Sequence, residues 1–203
     1  MTTHKNTKQH TTIATLLLFS IGMLFSCNTF AWTHHIGEKY GGGIVFYVYD
    51  GGLHGLIAAR ADQGHGIQWY NGTYKSTGAT GIGVNAGAMN TALIVAAQIN
   101  DTPGGNFAAK LCADYFVIAA DGVTYGDWYL PSSTELDLLY RKKDVVGGFA
   151  NNMYWSSTVE RVTNALTNVE DDSTYATFVD FRNGYMFDFT RDKRLSVRAI
   201  RAF

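Results

Sequence analysis

A run of basic residues near the carboxyl end of the chain offers the clearest candidate for binding chemistry. It lies within twenty positions and comprises Arg182, Arg191, Lys193, Arg194, Arg198 and Arg201. Guanidinium and ammonium groups bind sulfate and carboxylate groups, and arginine can do so through two parallel hydrogen bonds. Arg191, Lys193 and Arg194 fall in a predicted turn, so we expect their side chains to be exposed and available to an anion.

Aromatic residues in the same part of the chain could stack on the faces of sugar rings. They are Tyr154, Trp155, Tyr175 and Tyr185. We expect Trp155 to belong to the core instead. Arg198 and Arg201 are expected to pair with acids of this region, such as Asp180 and Asp188. The candidate ligand-binding residues are therefore Arg182, Arg191, Lys193, Arg194, Tyr154 and Tyr185.

No set of residues has the spacing of a metal or catalytic site. Zinc sites need histidines or cysteines at short regular spacing, which is not the pattern of the histidines beyond residue 31, namely His34, His35, His54 and His65. The acidic run 170–172 could supply some of the oxygen ligands that calcium requires, but we expect a solvated loop there. No nucleophile and base can be assembled from a known motif, so the sequence predicts no metal, no cofactor and no enzymatic activity.

The amino-terminal segment has the pattern of a secretory signal peptide. Residues 1–12 are polar and basic, and residues 13–25 form an apolar run of the kind that precedes a cleavage site. This run is shorter than the about 20 residues of a bilayer span. The sequence is compatible with two alternative cleavage sites. One makes residues 1–31 the signal peptide, and the other lies before Cys27, which would then be lipidated. Either site predicts an exported protein, secreted or associated with the outer membrane or cell surface.

Residues 32–203 are expected to form a single domain, large enough to bury a substantial core. The whole chain carries a net charge of −1. Two lysines and no acids precede residue 32, so the domain has 14 basic and 17 acidic residues and a net charge of −3. This balance argues against a nucleic-acid ligand, which is bound through a basic surface. Cys112 is the single cysteine of the domain, and we expect it to be buried and unpaired.

The order of the predicted elements indicates an α+β fold. We expect strands at residues 44–49, 55–59, 153–157, 175–181, 185–189 and 195–201. We expect helices at residues 90–99 and 107–116, and a third that starts with a capping box of Ser132 and Glu135 and ends near Gly147. Asn183-Gly184 predicts a tight hairpin. These elements predict an antiparallel sheet with two to three helices packed beside it.

Several short motifs, taken in order, point to one family. They are Gly42-Gly43-Ile44-Val45-Phe46-Tyr47-Val48, His54-Gly55-Leu56-Ile57-Ala58-Ala59, Ile67-Gln68-Trp69, Gly126-Asp127-Trp128-Tyr129-Leu130-Pro131, Tyr154-Trp155-Ser156-Ser157-Thr158 and Val197-Arg198-Ala199-Ile200-Arg201-Ala202-Phe203. Together they resemble the C-terminal domain of the Legionella collagen-like adhesin, a branch of the C-type-lectin-like and formylglycine-generating-enzyme-like folds. The resemblance covers nearly all of residues 32–203.

The resemblance implies a C-type-lectin-like fold and a binding function. The adhesin's domain is associated with trimeric assembly and with sulfated glycosaminoglycans, so a homotrimer and a sulfated or acidic glycan are expectations for this chain. Two features depart from that family, because the collagen-like stalk is missing and the domain is acidic. The formylglycine-generating branch uses a pair of active-site cysteines, and Cys112 alone cannot supply it.

The sequence thus predicts an exported, non-enzymatic, adhesin-like binding module. Its ligand is expected to be a glycan or a host or cell-surface molecule, contacted through the C-terminal strands and turns. The alternative is a structural or protein-interaction lipoprotein of the bacterial cell envelope, attached to the membrane through Cys27. Neither hypothesis includes a nucleic-acid partner.

Overall fold

A computed structural model describes Met1 and residues 32–119, 122–163, 170–172 and 174–203. The chain divides into two compact units, residues 1–30 and 31–203, and the elements below belong to the second. The predicted signal peptide, apart from Met1, and the candidate lipidation residue Cys27 lie outside the described residues. Within those residues no helix has the length and apolar content needed to cross a membrane.

Strands and helices alternate in blocks along the described residues. The strands are β1 (Lys39–Tyr40), β2 (Gly43–Tyr49), β3 (His54–Ala58), β4 (Gly64–Gln68), β5 (Val117–Ile118), β6 (Thr124–Tyr125), β7 (Met153–Val159), β8 (Val162–Thr163), β9 (Glu170–Asp171), β10 (Tyr175–Asp180), β11 (Met186–Thr190), β12 (Arg194–Val197) and β13 (Ile200–Ala202). The helices are α1 (Ala86–Gln98), α2 (Ala108–Ala113), α3 (Ser133–Arg141) and α4 (Lys143–Val146). The α+β class predicted from the sequence is therefore confirmed.

Two larger sheets carry the fold, where the sequence predicts one. The first has the order β1-β2-β3-β13, with antiparallel neighbours throughout. The second has the order β11-β10-β7-β12-β4 and contains one parallel pair, β12 with β7. The strand predicted at residues 195–201 is in fact two strands, because the chain leaves the second sheet after Val197 and enters the first at Ile200.

Four helices occur in the described residues, one more than the upper limit predicted. The capping box of α3 is confirmed, since the Ser132 side chain accepts from the Glu135 amide and the Glu135 side chain accepts from the Ser132 amide. The predicted third helix is interrupted at Lys142, which separates α3 from α4. The hairpin between β10 and β11 is confirmed, but its turn is wider than predicted, because the Asp180 amide donates to the Tyr185 carbonyl at 2.8 Å and residues 181–184 form the loop. Gly184 has a positive φ of 81°.

Aromatic side chains fill the core between the sheets and helices. Trp155 is fully buried, as predicted, and its Nε1 donates to the Ile67 carbonyl at 2.9 Å. Trp69 is equally buried, and its Nε1 donates to the Ser156 carbonyl at 2.8 Å. Cys112 is buried and unpaired, as predicted. Burial raises the pKa of its thiol, which keeps it in the unreactive protonated form.

The two ends of the described domain meet beside β3. His34 donates its amide to the Gly52 carbonyl at 2.8 Å, and Gly55 and Phe203 exchange backbone hydrogen bonds at 3.2 and 3.1 Å. The ring of His34 lies edge-on to that of Phe203, with 4.9 Å between their centroids. Both ends are therefore held against the same strand of the first sheet.

A buried ion pair joins the two places where the chain passes between the sheets. Arg198 follows β12, Asp62 precedes β4, and Nε of the arginine lies 2.6 Å from Oδ1 of the aspartate. Arg198 also donates to the Ala59 carbonyl at 3.0 Å and stacks 3.9 Å from the centroid of Phe149. Arg198 thus pairs with an acid, as predicted. Its partner, Asp62, lies 136 positions away in the sequence rather than among the acids near Arg198.

Replacing Asp62 with alanine should lower the free energy of unfolding by about 3–5 kcal/mol, because it leaves the buried Arg198 charge uncompensated. The matched control is Asp127→Ala, which removes the partner of Arg201, an acid that is 59% exposed. Asp127 is exposed, although Arg201 is largely buried, so loss of this solvent-screened pair should cost at most about 1 kcal/mol. Urea unfolding of both variants measures the difference, and equal losses would contradict the structural role given to Asp62.

Candidate functional site

The basic run does not form a continuous cationic surface. Arg182 forms a bidentate ion pair with Asp180, in which Nη2 lies 2.6 Å from Oδ2 and Nε lies 2.8 Å from Oδ1. Arg201 is paired with Asp127. Lys193 and Arg194 are exposed, as predicted, and Arg194 donates to the Gly66 carbonyl at 3.1 Å. Most of the positive charge in this part of the chain is therefore neutralised within the fold or turned inward.

The prediction that Arg191 is exposed is wrong. Its side chain is fully buried and stacks on Trp69, with the guanidinium carbon 4.3 Å from the ring centroid. It donates to the carbonyls of Lys75, at 2.9 Å, and of Asp172. Burial lowers the pKa of Arg191 to about 10. The guanidinium satisfies carbonyls of irregular segments that have no ladder partner, so it is not available to a ligand.

Tyr154 is also inaccessible, contrary to its place in the predicted ligand set. It is fully buried, its hydroxyl donates to Asp62 Oδ2 at 2.7 Å, and it accepts from the Ala150 amide at 2.7 Å. Burial raises the pKa of Tyr154, with the hydrogen bond to Asp62 acting in the same direction. Tyr154 therefore supports the buried Arg198 ion pair rather than a binding surface.

The accessible members of the predicted set lie at two separate turns. Arg182 and Tyr185 belong to the turn that precedes β11, and Lys193 and Arg194 to the turn that follows it. A five-residue strand separates these turns by roughly 17 Å. The predicted residues therefore do not converge on one site, and Tyr185, which is 64% exposed, is the aromatic member that a ligand can reach.

An open groove of about 600 Å³ lies beside the β10–β11 hairpin, and we call it the β11 groove. One wall is formed by Thr177 of β10 and by Met186, Phe187 and Asp188 of β11. Thr177 and Asp188 are cross-strand partners, and the threonine hydroxyl donates to Asp188 Oδ1 at 2.7 Å. Phe187 is 58% exposed, and Tyr185 lies edge-on to it with 6.1 Å between centroids. Side chains alternate along a strand, so Met186 and Asp188 share the face of Thr177, and the Phe187 ring lies on the other face of the same edge strand, beside Phe178. This wall thus presents a carboxylate with a fixed orientation, and an aromatic ring lies across the edge of the strand.

The opposite wall is formed by the start of α3 and the segments packed against it. Its members are Thr80, Ile82, Ser133, Thr134, Thr158, Glu160 and Arg161. The Ser133 amide donates to Thr158 Oγ1 at 3.0 Å, and the Thr134 amide donates to the Ile82 carbonyl at 3.1 Å. Helix amino termini bind anions through free amides, and these first amides of α3 are already occupied. The wall therefore offers hydroxyl groups rather than an anion site.

Glu135 fixes this wall from behind. It is fully buried, and its Oε2 accepts from the Ser132 amide at 2.8 Å. Its Oε1 accepts from the Asn85 amide at 2.7 Å and from the Tyr129 hydroxyl at 3.1 Å. Burial raises the pKa of Glu135, against the opposing effect of these hydrogen bonds. The start of α3 is thus tied to the start of α1, and the groove wall is held in one position.

The groove has the composition of a binding site. It combines an exposed aromatic ring, several hydroxyl groups and carboxylates at Asp188 and Glu160. No group of three or more histidine, cysteine or acidic residues that could hold a metal occurs in the part of the chain that the structure describes. The acidic run 170–172 is not a simple solvated loop, since Asp172 is buried and accepts from the Gly78 amide at 2.8 Å.

The sequence-based set missed Phe187, Asp188 and Thr177. One signal for them was present, because residues 185–187 are three consecutive large apolar residues in a predicted hairpin strand. A half-buried strand alternates between apolar and polar residues, so at least one of the three had to face solvent. The pairing of Thr177 with Asp188 could not be read from the Asn183-Gly184 signal, because a two-residue turn there would pair residue 177 with residue 190, whereas the observed register pairs it with residue 188.

No protein-family model matches this chain, and none of the curated proteins is similar to it at a significant level. The described structure defines an α+β protein of two larger sheets, two two-stranded sheets and four helices, with an open groove beside an edge strand. A functional assignment therefore depends on the chemistry of the site and on the motifs in the sequence.

Replacing Glu135 with glutamine should lower the free energy of unfolding by about 1–3 kcal/mol. Both oxygens of Glu135 accept hydrogen bonds, and the NH2 group of glutamine in place of one of them would face a hydrogen-bond donor. Folding raises the pKa of Glu135, so its contribution to stability is greatest below the ordinary carboxylate pKa and is lost as the pH rises through the raised value. The difference in free energy of unfolding between the wild type and the variant should therefore decrease as the pH rises, and urea unfolding curves at several pH values measure it.

The control for this variant is Asp137→Asn on the exposed side of the same helix, where Asp137 pairs with Arg141 at 2.7 Å. That change should cost at most about 0.5 kcal/mol. A Glu135→Gln variant no less stable than this control would show that the carboxylate does not hold the groove wall.

Proposed function

We propose that this protein is an exported, non-enzymatic, adhesin-like binding module that recognises a glycan through the β11 groove. The observation that carries the proposal is the Asp188 carboxylate, held by Thr177 in an open groove between an edge hairpin and a helix start. The exposed Phe187 ring lies on the other face of the same edge strand, so a glycan lying across that edge could contact both. The amino-terminal signal pattern supports export. The C-type-lectin-like fold is part of the same proposal, and the ordered motifs and the two sheets with segregated helices support it.

The groove chemistry favours a sugar because its two kinds of contact match the two kinds of surface on a sugar ring. The C–H face of a pyranose is apolar and packs on an aromatic ring such as Phe187. Its hydroxyl groups donate to a carboxylate such as Asp188, and a bond to an ionised acceptor is stronger than a neutral one. The bond from Thr177 fixes one oxygen of Asp188 and leaves the other oxygen for a ligand hydroxyl.

Neutral sugars suit the groove better than sulfated ones. The groove lining has two carboxylates, Asp188 and Glu160, and one cation, Arg161, so its net charge is negative and disfavours a sulfate group. The first amides of α3 are also occupied. The sulfated or acidic glycan that the family resemblance implies would instead need Lys193 and Arg194, the exposed cations of the turn after β11. The two ligand types therefore predict different binding residues.

A protein partner is the second candidate function, and the edge position of β11 favours it. Among the strands of the described residues this one has a neighbour on one side only, and Tyr185, Met186 and Phe187 are all exposed. Edge strands can pair with an extended segment of another chain. A structural or protein-interaction lipoprotein of the cell envelope would use the same surface without a sugar ligand, and a homotrimer would show in the mass of the purified protein.

The proposal is tested by binding of the purified protein to an array of neutral and sulfated glycans, followed by calorimetry on the best ligand. Phe187→Ala and Asp188→Asn should each weaken binding of a neutral glycan by about 1–3 kcal/mol, since each removes one principal contact. The matched control, Lys193→Gln with Arg194→Gln, should leave that affinity unchanged.

Other outcomes count against the proposal in distinct ways. Salt-sensitive binding of sulfated glycans that is lost in the Lys193/Arg194 variant would move the ligand to the turn after β11. Absence of binding to every glycan would favour the protein-partner function, and a pull-down of envelope proteins with the Phe187→Ala variant as the comparison would then identify the surface.

A further inference from the structure

A second pocket, of about 500 Å³, lies at the turn between β1 and β2 and shares no lining residue with the β11 groove. We call it the β1–β2 pocket. Its cationic and aromatic lining residues are Lys39, Arg60, Tyr40, Tyr115 and Tyr125. Val117 and Ile118 of the β5–β6 hairpin close one side. The pocket therefore brings two positive charges and three tyrosine rings to one place.

The two cations of the β1–β2 pocket are exposed and have no acidic partner among the described residues. Several other basic residues of the domain are paired with acids, as Arg198 is with Asp62 and Arg182 with Asp180. Burial raises the pKa of Tyr115, and the positive charges of Arg198 and Arg60 oppose that rise. Arg60 is thus within electrostatic reach of the tyrosine inside the pocket. In a domain with net negative charge, this pocket has a local excess of positive charge.

The aromatic walls of the pocket are fixed by packing. Tyr115 lies edge-on to Trp128 at 5.2 Å between centroids, and Arg201 stacks over Tyr125 at 4.6 Å. Gly42 forms part of the floor with a φ of 85°, and a Cβ there would lie 3.2 Å from Cβ of Val117. A side chain at this position would fill the space between the turn and the β5–β6 hairpin. The pocket is therefore a shaped cavity and not a loose surface cluster.

We propose that the β1–β2 pocket binds an organic phosphate whose organic part is a ring. A phosphate monoester carries about 1.5 to 2 negative charges at neutral pH, which matches two cations that have no acidic partner in the part of the chain that the structure describes. The Arg60 guanidinium can hold two phosphate oxygens at once, and the Lys39 ammonium acts as a point charge. The ring contacts the tyrosine side chains. This binding site is independent of the proposed glycan groove.

The test is a calorimetric titration of the purified protein with phenyl phosphate, with inorganic phosphate and phenol as the partial ligands. Phenyl phosphate should bind saturably and more weakly as salt increases. Lys39→Gln with Arg60→Gln should weaken that binding by at least about tenfold, because both charge-assisted contacts are lost. The control, Lys193→Gln with Arg194→Gln, changes the net charge equally and should leave the affinity unchanged.

Each contrary result would overturn a defined part of the proposal. Absence of saturable binding, or equal binding by the Lys39/Arg60 variant, would show that the cations do not form a phosphate site. If inorganic phosphate bound as tightly as phenyl phosphate, the ring would not contribute to binding. If phenol bound as tightly as phenyl phosphate, the phosphate group would not contribute. Both residues are exposed, so an unchanged melting temperature of the variants is expected and would exclude misfolding as the cause of a loss.

Discussion

The fold depends on the buried pair of Arg198 and Asp62, because this pair joins the two segments through which the chain changes sheets. The backbone reinforces the junction, since Ala59 donates to the Ala199 carbonyl at 2.9 Å and Gln63 to the Val197 carbonyl at 2.8 Å. A buried charge without its partner is strongly unfavourable, so the ion pair fixes how the two sheets are connected. The β10–β11 hairpin belongs to the second sheet and forms one wall of the β11 groove. The position of the groove therefore depends on this junction.

The fold uses most of the positive charge that the sequence places near its carboxyl end. Arg191 donates hydrogen bonds to backbone carbonyls of irregular segments, and Arg182 forms an ion pair with Asp180 next to it in the β10–β11 hairpin. Hence a dense basic sequence gives a surface with few free cations there. Free positive charge appears instead at Lys39 and Arg60, which are far from that run in sequence. Charge counted along a chain thus says little about charge on a surface when arginines can satisfy buried carbonyls.

Local signals predicted the parts of this fold that depend on neighbouring residues. Ser132 with Glu135, and Gly184 in its turn, act within a few positions, so the sequence specified both. The burial of Arg191 could not be predicted, because its acceptor at Lys75 lies 116 positions away. The break of the last strand at Arg198 has the same origin, since the residue satisfies Asp62 at a separation of 136 positions. None of the residues that line the candidate groove was in the predicted set, and Tyr185 of that set is a neighbour of Phe187. The opposite wall depends on the tertiary position of α3.

The contact between His34 and Phe203 has a consequence for the connectivity of the chain. The two ends of the domain lie side by side, so a short linker could join residue 203 to residue 34 without crossing the fold. New ends could then be opened in the exposed segment at Thr102–Gly104, between α1 and α2. Circular permutation is tolerated where ends are close and loops are exposed. The proximity of residues 34 and 203 therefore meets the geometric condition for circular permutation of the described fold.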